Sequence, residues 1–209
     1  MNATTASNQA YIKVLQDTVM AASLNYDVWW TYTQHRLRVR FLDILNAYPT
    51  FFRTSIHAHF VALVVALYRI YETRSDTFNL PGLIQRLKSQ GILPAKVLAP
   101  IERRVSNSRK LWIKVSVLRN EAFAHRTSAY SVSDVFRKAH VTPNELRDLV
   151  RKTQQTLNKI SYALNHSRHT FSLCAVTDTK AMLADLKAFR AQRSRLTIRR
   201  RAHSQRVKR

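Results

Sequence analysis

Only two glycines stand among 209 residues. A chain so poor in glycine has few positions that take a positive φ without strain, and tight β-turns and phosphate-cradling loops depend on such positions. Helices carry no such requirement. Apolar residues make up 45% of the chain, enough for one packed domain of ordinary size. The expected fold class is all-α.

The apolar spacing supports helices along the whole chain. Ile12, Leu15, Val19, Ala22, Tyr26 and Trp29 recur at three- and four-residue steps on one face of a long first helix, and Trp30 widens that face. Leu37, Phe41, Ile44, Leu45 and Tyr48 predict a second helix ending at Pro49. A third begins after Thr50 and carries Phe52, Ile56, Phe60, Leu63, Leu67 and Ile70, with Val61, Val64 and Val65 making it apolar nearly all round. Asn79 before Leu80-Pro81 reads as the cap of a short helix closing at Gly91, and Pro94 and Pro100 bracket an irregular connection. From about Ile101 a helix resumes through Leu111, Val115, Leu118 and Ala122, and Ser131 to Ala139 reads as a short helix or turn. Thr142-Pro143-Asn144-Glu145 is a capping box that introduces a helix running to Leu164. A last helix starts near Thr177.

Lys and Arg number 35 against 12 Asp and Glu, a net charge of +23. Such a surface calls for an anionic partner, and nucleic acid is the first candidate because counterion release drives basic surfaces onto phosphates. The charge is uneven. Lys187 to Arg209 contains ten basic residues and no acidic one, which leaves +13 on residues 1–186. We divide the chain accordingly into a helical domain, 1–186, and an Arg-rich tail, 187–209, too poor in apolar residues to fold alone and read as disordered, or as helical through Leu196 and Ile198 only when bound.

Cys174 is the one cysteine, so no intrachain disulfide can form, and it reads as a small buried apolar residue. His57 and His59, two apart on a helix, point in different directions, so no metal site is expected. No cofactor motif is present. The N-terminus lacks a signal-peptide pattern and the longest apolar run, Phe60 to Tyr68, is short of a bilayer's thickness. These features lead us to expect a cytoplasmic protein with no membrane partner.

The string Arg119-Asn120-Glu121-Ala122-Phe123-Ala124-His125 carries the most specific chemistry. At ~100° per residue His125 lies within roughly 40° of the axis of the Leu111-Val115-Leu118-Ala122 stripe, with Arg119 about 80° to its other side, and six residues rise ~9 Å. Guanidinium clamps phosphate in bidentate fashion and imidazole moves protons near neutral pH, so the pair suits cleavage of RNA without a metal. On spacing alone, a surface ion-pair arginine and a buried histidine explain the same residues. Asn120 falls on the far side of an ideal helix, so a role for it requires local distortion or a contact with a neighbouring helix.

Val117 to Arg126 resembles the Arg-polar-spacer-His signature of the HEPN superfamily. Phe60 to Glu72, followed by Asp76-Thr77-Phe78-Asn79-Leu80, is similar to the branch linked to phage abortive infection, the AbiU-like HEPN proteins. The resemblance spans roughly residues 10–165. It implies an up-and-down helical bundle, a homodimer with two motifs facing one cleft, and metal-independent cutting that leaves a 2′,3′-cyclic phosphate. Carried over, Arg119 stabilises the phosphorane, His125 transfers protons or orients the phosphate, and Asn120 fixes the histidine. HEPN toxins controlled by a nucleotidyltransferase often carry a tyrosine two residues after the histidine. Here that position is Thr127 and the nearest downstream tyrosine is Tyr130, so the resemblance does not extend to control by AMPylation.

The remaining expected RNA contacts are Arg36, Arg38, Arg40 and Arg126, and the tail residues Arg193, Arg195, Arg199, Arg200 and Arg201. For the Arg36–Arg40 group a solvated helix face is an equal explanation. Trp29 and Trp30 sit on an apolar stripe and read as core or dimer contact before base stacking. Two functional readings follow: a HEPN endoribonuclease acting as a toxin or phage-defence effector, with an antitoxin as a further partner, or a HEPN-like RNA-binding adaptor without catalysis.

Overall fold

The computed structural model describes residues 3–120 and 137–207, with side chains over 7–120 and 137–196. Among these the regular elements are α-helices: α1 (Ala3–Thr33), α2 (His35–Arg40), α3 (Leu42–Ala47), α4 (Pro49–Tyr71), α5 (Leu80–Ser89), α6 (Ala95–Arg119), α7 (Pro143–Asn165) and α8 (Ala175–Val207). The fold is the all-α helical bundle expected.

Both glycines serve a structural need. Asn79 caps α5, its Oδ1 accepting from the Gly82 N–H at 2.7 Å. The hydroxyl of Tyr11 on α1 meets the same turn, accepting from Asn79 N–H at 3.0 Å and donating to the Asn79 carbonyl at 3.1 Å. A Cβ at Gly82 would stand 2.8 Å from that hydroxyl and 2.9 Å from Asn79 Oδ1, so only glycine admits this approach. At the far end of α5, Gly91 takes φ +62. Ile92 N–H then reaches the Leu87 carbonyl (3.2 Å) and Gly91 N–H the Lys88 carbonyl (3.1 Å), the Schellman pattern of helix closure.

The chain forms two compact units. The first comprises Met1–Tyr26 and Ala58–Leu173. Its core is built from Leu15, Val19 and Ala22 of α1, Leu63, Val64, Leu67 and Ile70 of α4, Leu83 and Leu87 of α5, Val115 and Leu118 of α6, and Leu146, Leu149, Leu157 and Ile160 of α7. Two pairs of polar side chains meet in this core: Gln16 Nε2 donates to Ser161 Oγ at 3.3 Å, and Tyr71 Oη lies 2.8 Å from Thr153 Oγ1. Thr153 donates its proton to the Leu149 carbonyl, so Tyr71 is the donor in its bond to Thr153. α7 begins with the full capping box of Thr142 and Glu145, and Glu145 also binds Lys114 of α6 at 2.6 Å. That lysine holds the Glu145 carboxyl below its ordinary range, helped by the Thr142 backbone and hydroxyl donors.

The second unit comprises Asp27–His57 and Cys174–Arg209. Tyr32, Phe41, Ile44, Phe52 and Leu183 form its buried cluster, with the Tyr32 and Phe52 rings edge to face at 5.3 Å. Asp27 accepts from the Ala175 N–H at 3.2 Å at the start of α8, and burial raises its carboxyl above the usual value despite that bond.

Several local expectations are corrected. The second expected helix is two, α2 and α3, parted at Phe41, whose φ of −117 and ψ of 18 leave the helical region while its side chain is buried in the cluster. Helix α6 begins at Ala95, not near Ile101, and carries Pro100 inside it. The missing N–H there removes one intrahelical bond but does not end the helix, because α6 is also held by packing on α5 and α7. Cys174 is exposed, not buried. It sits at the junction leading into α8. Helix α8 runs through position 187 and continues to Val207. Residues 187–196 are exposed throughout, so that stretch buries no apolar face. Of the short helix expected over 131–139, residues 137–139 are helical and the rest lies outside the described residues.

Among the described residues α4 alone is long and apolar enough, by length and composition, to cross a membrane, with a mean hydropathy of 1.4. It exceeds the Phe60–Tyr68 run because α4 spans 23 residues. Its buried side chains Leu63, Val64, Leu67 and Ile70 give a reason for that character in the first unit's core.

Candidate active site

The candidate site lies in the first unit, at the end of α6. Tyr68 of α4 is half-buried, and its ring stacks against Trp112 of α6 with centroids 6.2 Å apart and planes 28° off parallel. Trp112 Nε1–H also donates to the Tyr68 carbonyl at 3.3 Å, which ties the two helices at this level. Two turns further along α6, Arg119 brings its guanidinium to 4.9 Å from the Tyr68 ring centroid. A cation is attracted to the negative face of an aromatic ring, so the tyrosine supplies a seat for an otherwise exposed side chain.

Asn120 completes the seat. Its Oδ1 accepts from Arg119 Nη1 at 3.1 Å, and its backbone N–H donates to the Ser116 and Val117 carbonyls at the end of α6. Within the described residues the asparagine fixes the arginine. Its expected bond to His125 lies outside them, as do His125 itself, Arg126, Thr127 and Tyr130.

Reading the sequence for site residues missed Tyr68 and Trp112. Tyr68 lay inside the run Phe60 to Glu72 that carried the family resemblance, beside the buried Leu67, but its partner is 51 positions away along the chain. An aromatic at the edge of a core stripe gives no sign of which cation it faces.

The other predicted contacts sit elsewhere. Arg36, Arg38 and Arg40 are exposed on α2 in the second unit. Positions 36 and 40 share one side of that helix, whereas position 38 lies ~200° round it, so the three do not form a single row. The Arg40 guanidinium lies 5.2 Å from the Phe41 ring, and Lys187 of α8 donates to the Arg40 carbonyl at 2.8 Å. Arg193 and Arg195 are exposed on α8. Arg199, Arg200 and Arg201 follow on the same helix, and their side chains lie outside the described residues. Trp29 is buried in the second unit and unsuited to stacking on a base. His59 Nδ1–H donates to Asn25 Oδ1 at 2.8 Å, and among the described residues no three His, Cys, Asp or Glu side chains converge as metal ligands would.

A match to the family model of AbiU2 HEPN proteins runs over residues 9–185. The chain belongs to the AbiU2 family of HEPN proteins. The match ends just short of the basic stretch that begins at Lys187, so the family character lies in α1 to the first part of α8. Comparison with curated proteins and with solved structures gives no match. As an AbiU2 protein the chain is of abortive-infection, HEPN type.

Proposed function

We propose that this protein is a metal-independent endoribonuclease of phage defence, acting as a toxin in the cytoplasm. The observation that carries the reading is the seating of Arg119 on Tyr68 and Asn120 at the exposed end of α6, in a chain of the AbiU2 family. An arginine held by a ring and an amide is oriented before the phosphate arrives, which lowers the ordering cost of a bidentate clamp.

In this reading a 2′-hydroxyl of the RNA attacks the adjacent phosphorus. His125 accepts or relays its proton, Arg119 stabilises the charge on the non-bridging oxygens of the phosphorane, and the 5′-oxygen departs as a hydroxyl, leaving a 2′,3′-cyclic phosphate. Two copies of the chain supply facing motifs. An antitoxin is the expected restraint, and no metal or organic cofactor is called for. The exposed arginines of α2 and α8 favour a second reading, an RNA-binding adaptor without catalysis.

Cleavage of a labelled RNA in EDTA separates the two. The nuclease reading expects a 2′,3′-cyclic phosphate product from the wild-type chain, lost in His125→Ala and Arg119→Ala. It also expects Arg119→Lys to remain impaired, because an ammonium cannot reproduce the guanidinium fork. RNA binding without cleavage by the wild-type chain refutes it in favour of the adaptor.

A further inference from the structure

We propose that a second groove in the first unit, remote from Arg119, binds single-stranded RNA by taking its phosphates on basic side chains and stacking a base on Tyr162. The groove encloses ≈ 890 Å³ between the first part of α6 and the last turns of α7. Among the described residues that line it, Arg104, Lys159, His166 and Arg168 are basic and none carries a carboxylate. Arg104 lies about 22 Å along α6 from Arg119 at 1.5 Å per residue, so this is a separate site.

The groove is built by specific contacts. Arg104 Nη1 donates to Gln155 Oε1 at 2.7 Å across the two helices, which orients the guanidinium while using one of its five donors. His166 closes α7 in the left-handed region, φ 56, and turns the chain back along the groove. Asn158 holds that return: its Oδ1 accepts from His169 N–H at 2.9 Å and its Nδ2 donates to the His169 carbonyl at 3.0 Å. The result sets Arg168 with its guanidinium 5.1 Å from the Tyr162 ring and His166 edge-on to the same ring at 5.4 Å.

Tyr162 is 48% exposed, a large aromatic surface left open amid cations. That combination selects an anion bearing flat apolar rings. A duplex presents phosphates but keeps its bases stacked within, whereas a single strand offers both. The positive end of the α6 dipole adds to the same field. The choice of RNA over other single strands rests on the ribonuclease reading, and the binding itself does not.

The test uses the full chain carrying Arg119→Ala, so that no cleavage interferes, and reads fluorescence anisotropy of a labelled uridine decamer. In that background Tyr162→Ala weakens binding about tenfold, the size of one base stack, while Tyr162→Phe stays within about twofold. Lys159→Gln with Arg168→Gln lowers the slope of log affinity against log salt by about 1.4, at ~0.7 per phosphate contact on a single strand. A thymidine decamer that binds as tightly, with the same losses, removes the preference for RNA. Unchanged affinity in Tyr162→Ala together with an unchanged salt slope in the double variant overturns the site, and an equal loss on a DNA duplex overturns the stacking. A wild-type chain that cuts no RNA refutes the nuclease reading and leaves these binding results standing.

Discussion

Removing the ring beneath Arg119 tests whether the seat matters to the chemistry. Tyr68→Ala deletes the surface that holds the guanidinium at 4.9 Å and the stack on Trp112 at 6.2 Å. A cation–π contact at an exposed site contributes ~0.5–1 kcal/mol. If all of it serves to orient the arginine, the rate falls about two- to fivefold. Tyr68→Phe keeps the ring face and loses only the hydroxyl, so it stays within about twofold of wild type. The same deletion destabilises the fold. Complete burial of a large aromatic corresponds to a loss of ~3–5 kcal/mol on truncation to alanine, and a half-buried Tyr68 scales that to roughly 2 kcal/mol. The assay is therefore single-turnover cleavage at saturating RNA, run well below the unfolding transition of each variant, with circular dichroism confirming the helical signal. Equal rates in Tyr68→Ala and wild type, alongside loss of activity in Arg119→Ala, would show that the arginine needs no seat. Equal impairment in Tyr68→Phe and Tyr68→Ala would assign the effect to the hydroxyl instead.

Gly82→Ala forces its Cβ to 2.8 Å from Tyr11 Oη and should cost about 1–3 kcal/mol in denaturant unfolding. Gly91→Ala meets nothing within 4 Å and should cost only the left-handed backbone penalty of about 1 kcal/mol, with Gly91→Asn costing less. Thr142→Ala removes the cap of α7 and lowers unfolding free energy by about 1 kcal/mol. Glu145 titrates below its ordinary 4.5 in the folded chain, so its contribution is present above that pH and lost as pH falls through the lower folded value; Glu145→Gln flattens this acid limb in melts followed from pH 6 to 3. Burial lowers His59 from its ordinary 6.5, so the neutral ring stabilises the fold above pH 6.5, and that contribution is lost as pH falls through the depressed value. Proton titration by NMR should find His59 charging later on acidification than a free histidine, and a normal or raised value refutes its assignment as a buried neutral donor.

Local signals were legible in the sequence, and for one reason: each depends on residues within a turn or two of itself. Asn79 with Pro81, Gly91, and Thr142 with Glu145 mark helix ends because a cap is a bond to a backbone group three or four positions away. The stripe Leu63, Leu67, Ile70 marks a core face because helical phase is a local property. Glycine scarcity likewise pointed to an all-α chain, and the two that exist lie at the two ends of α5, where backbone approach or a positive φ demands them. Arg119 and Asn120 were legible as a motif, because the family pattern is contiguous.

Tertiary structure alone decided the rest. Phe41 splits a segment of unbroken apolar spacing because its ring fills the second unit's cluster, and Pro100 stays inside α6 because packing offsets one missing bond. Nothing near Tyr68 in the chain announces Arg119, and nothing near Arg104 announces Gln155. Both pairings arise where α4, α6 and α7 lie side by side, and the energy of such contacts depends on distances that the chain reaches only after it has folded.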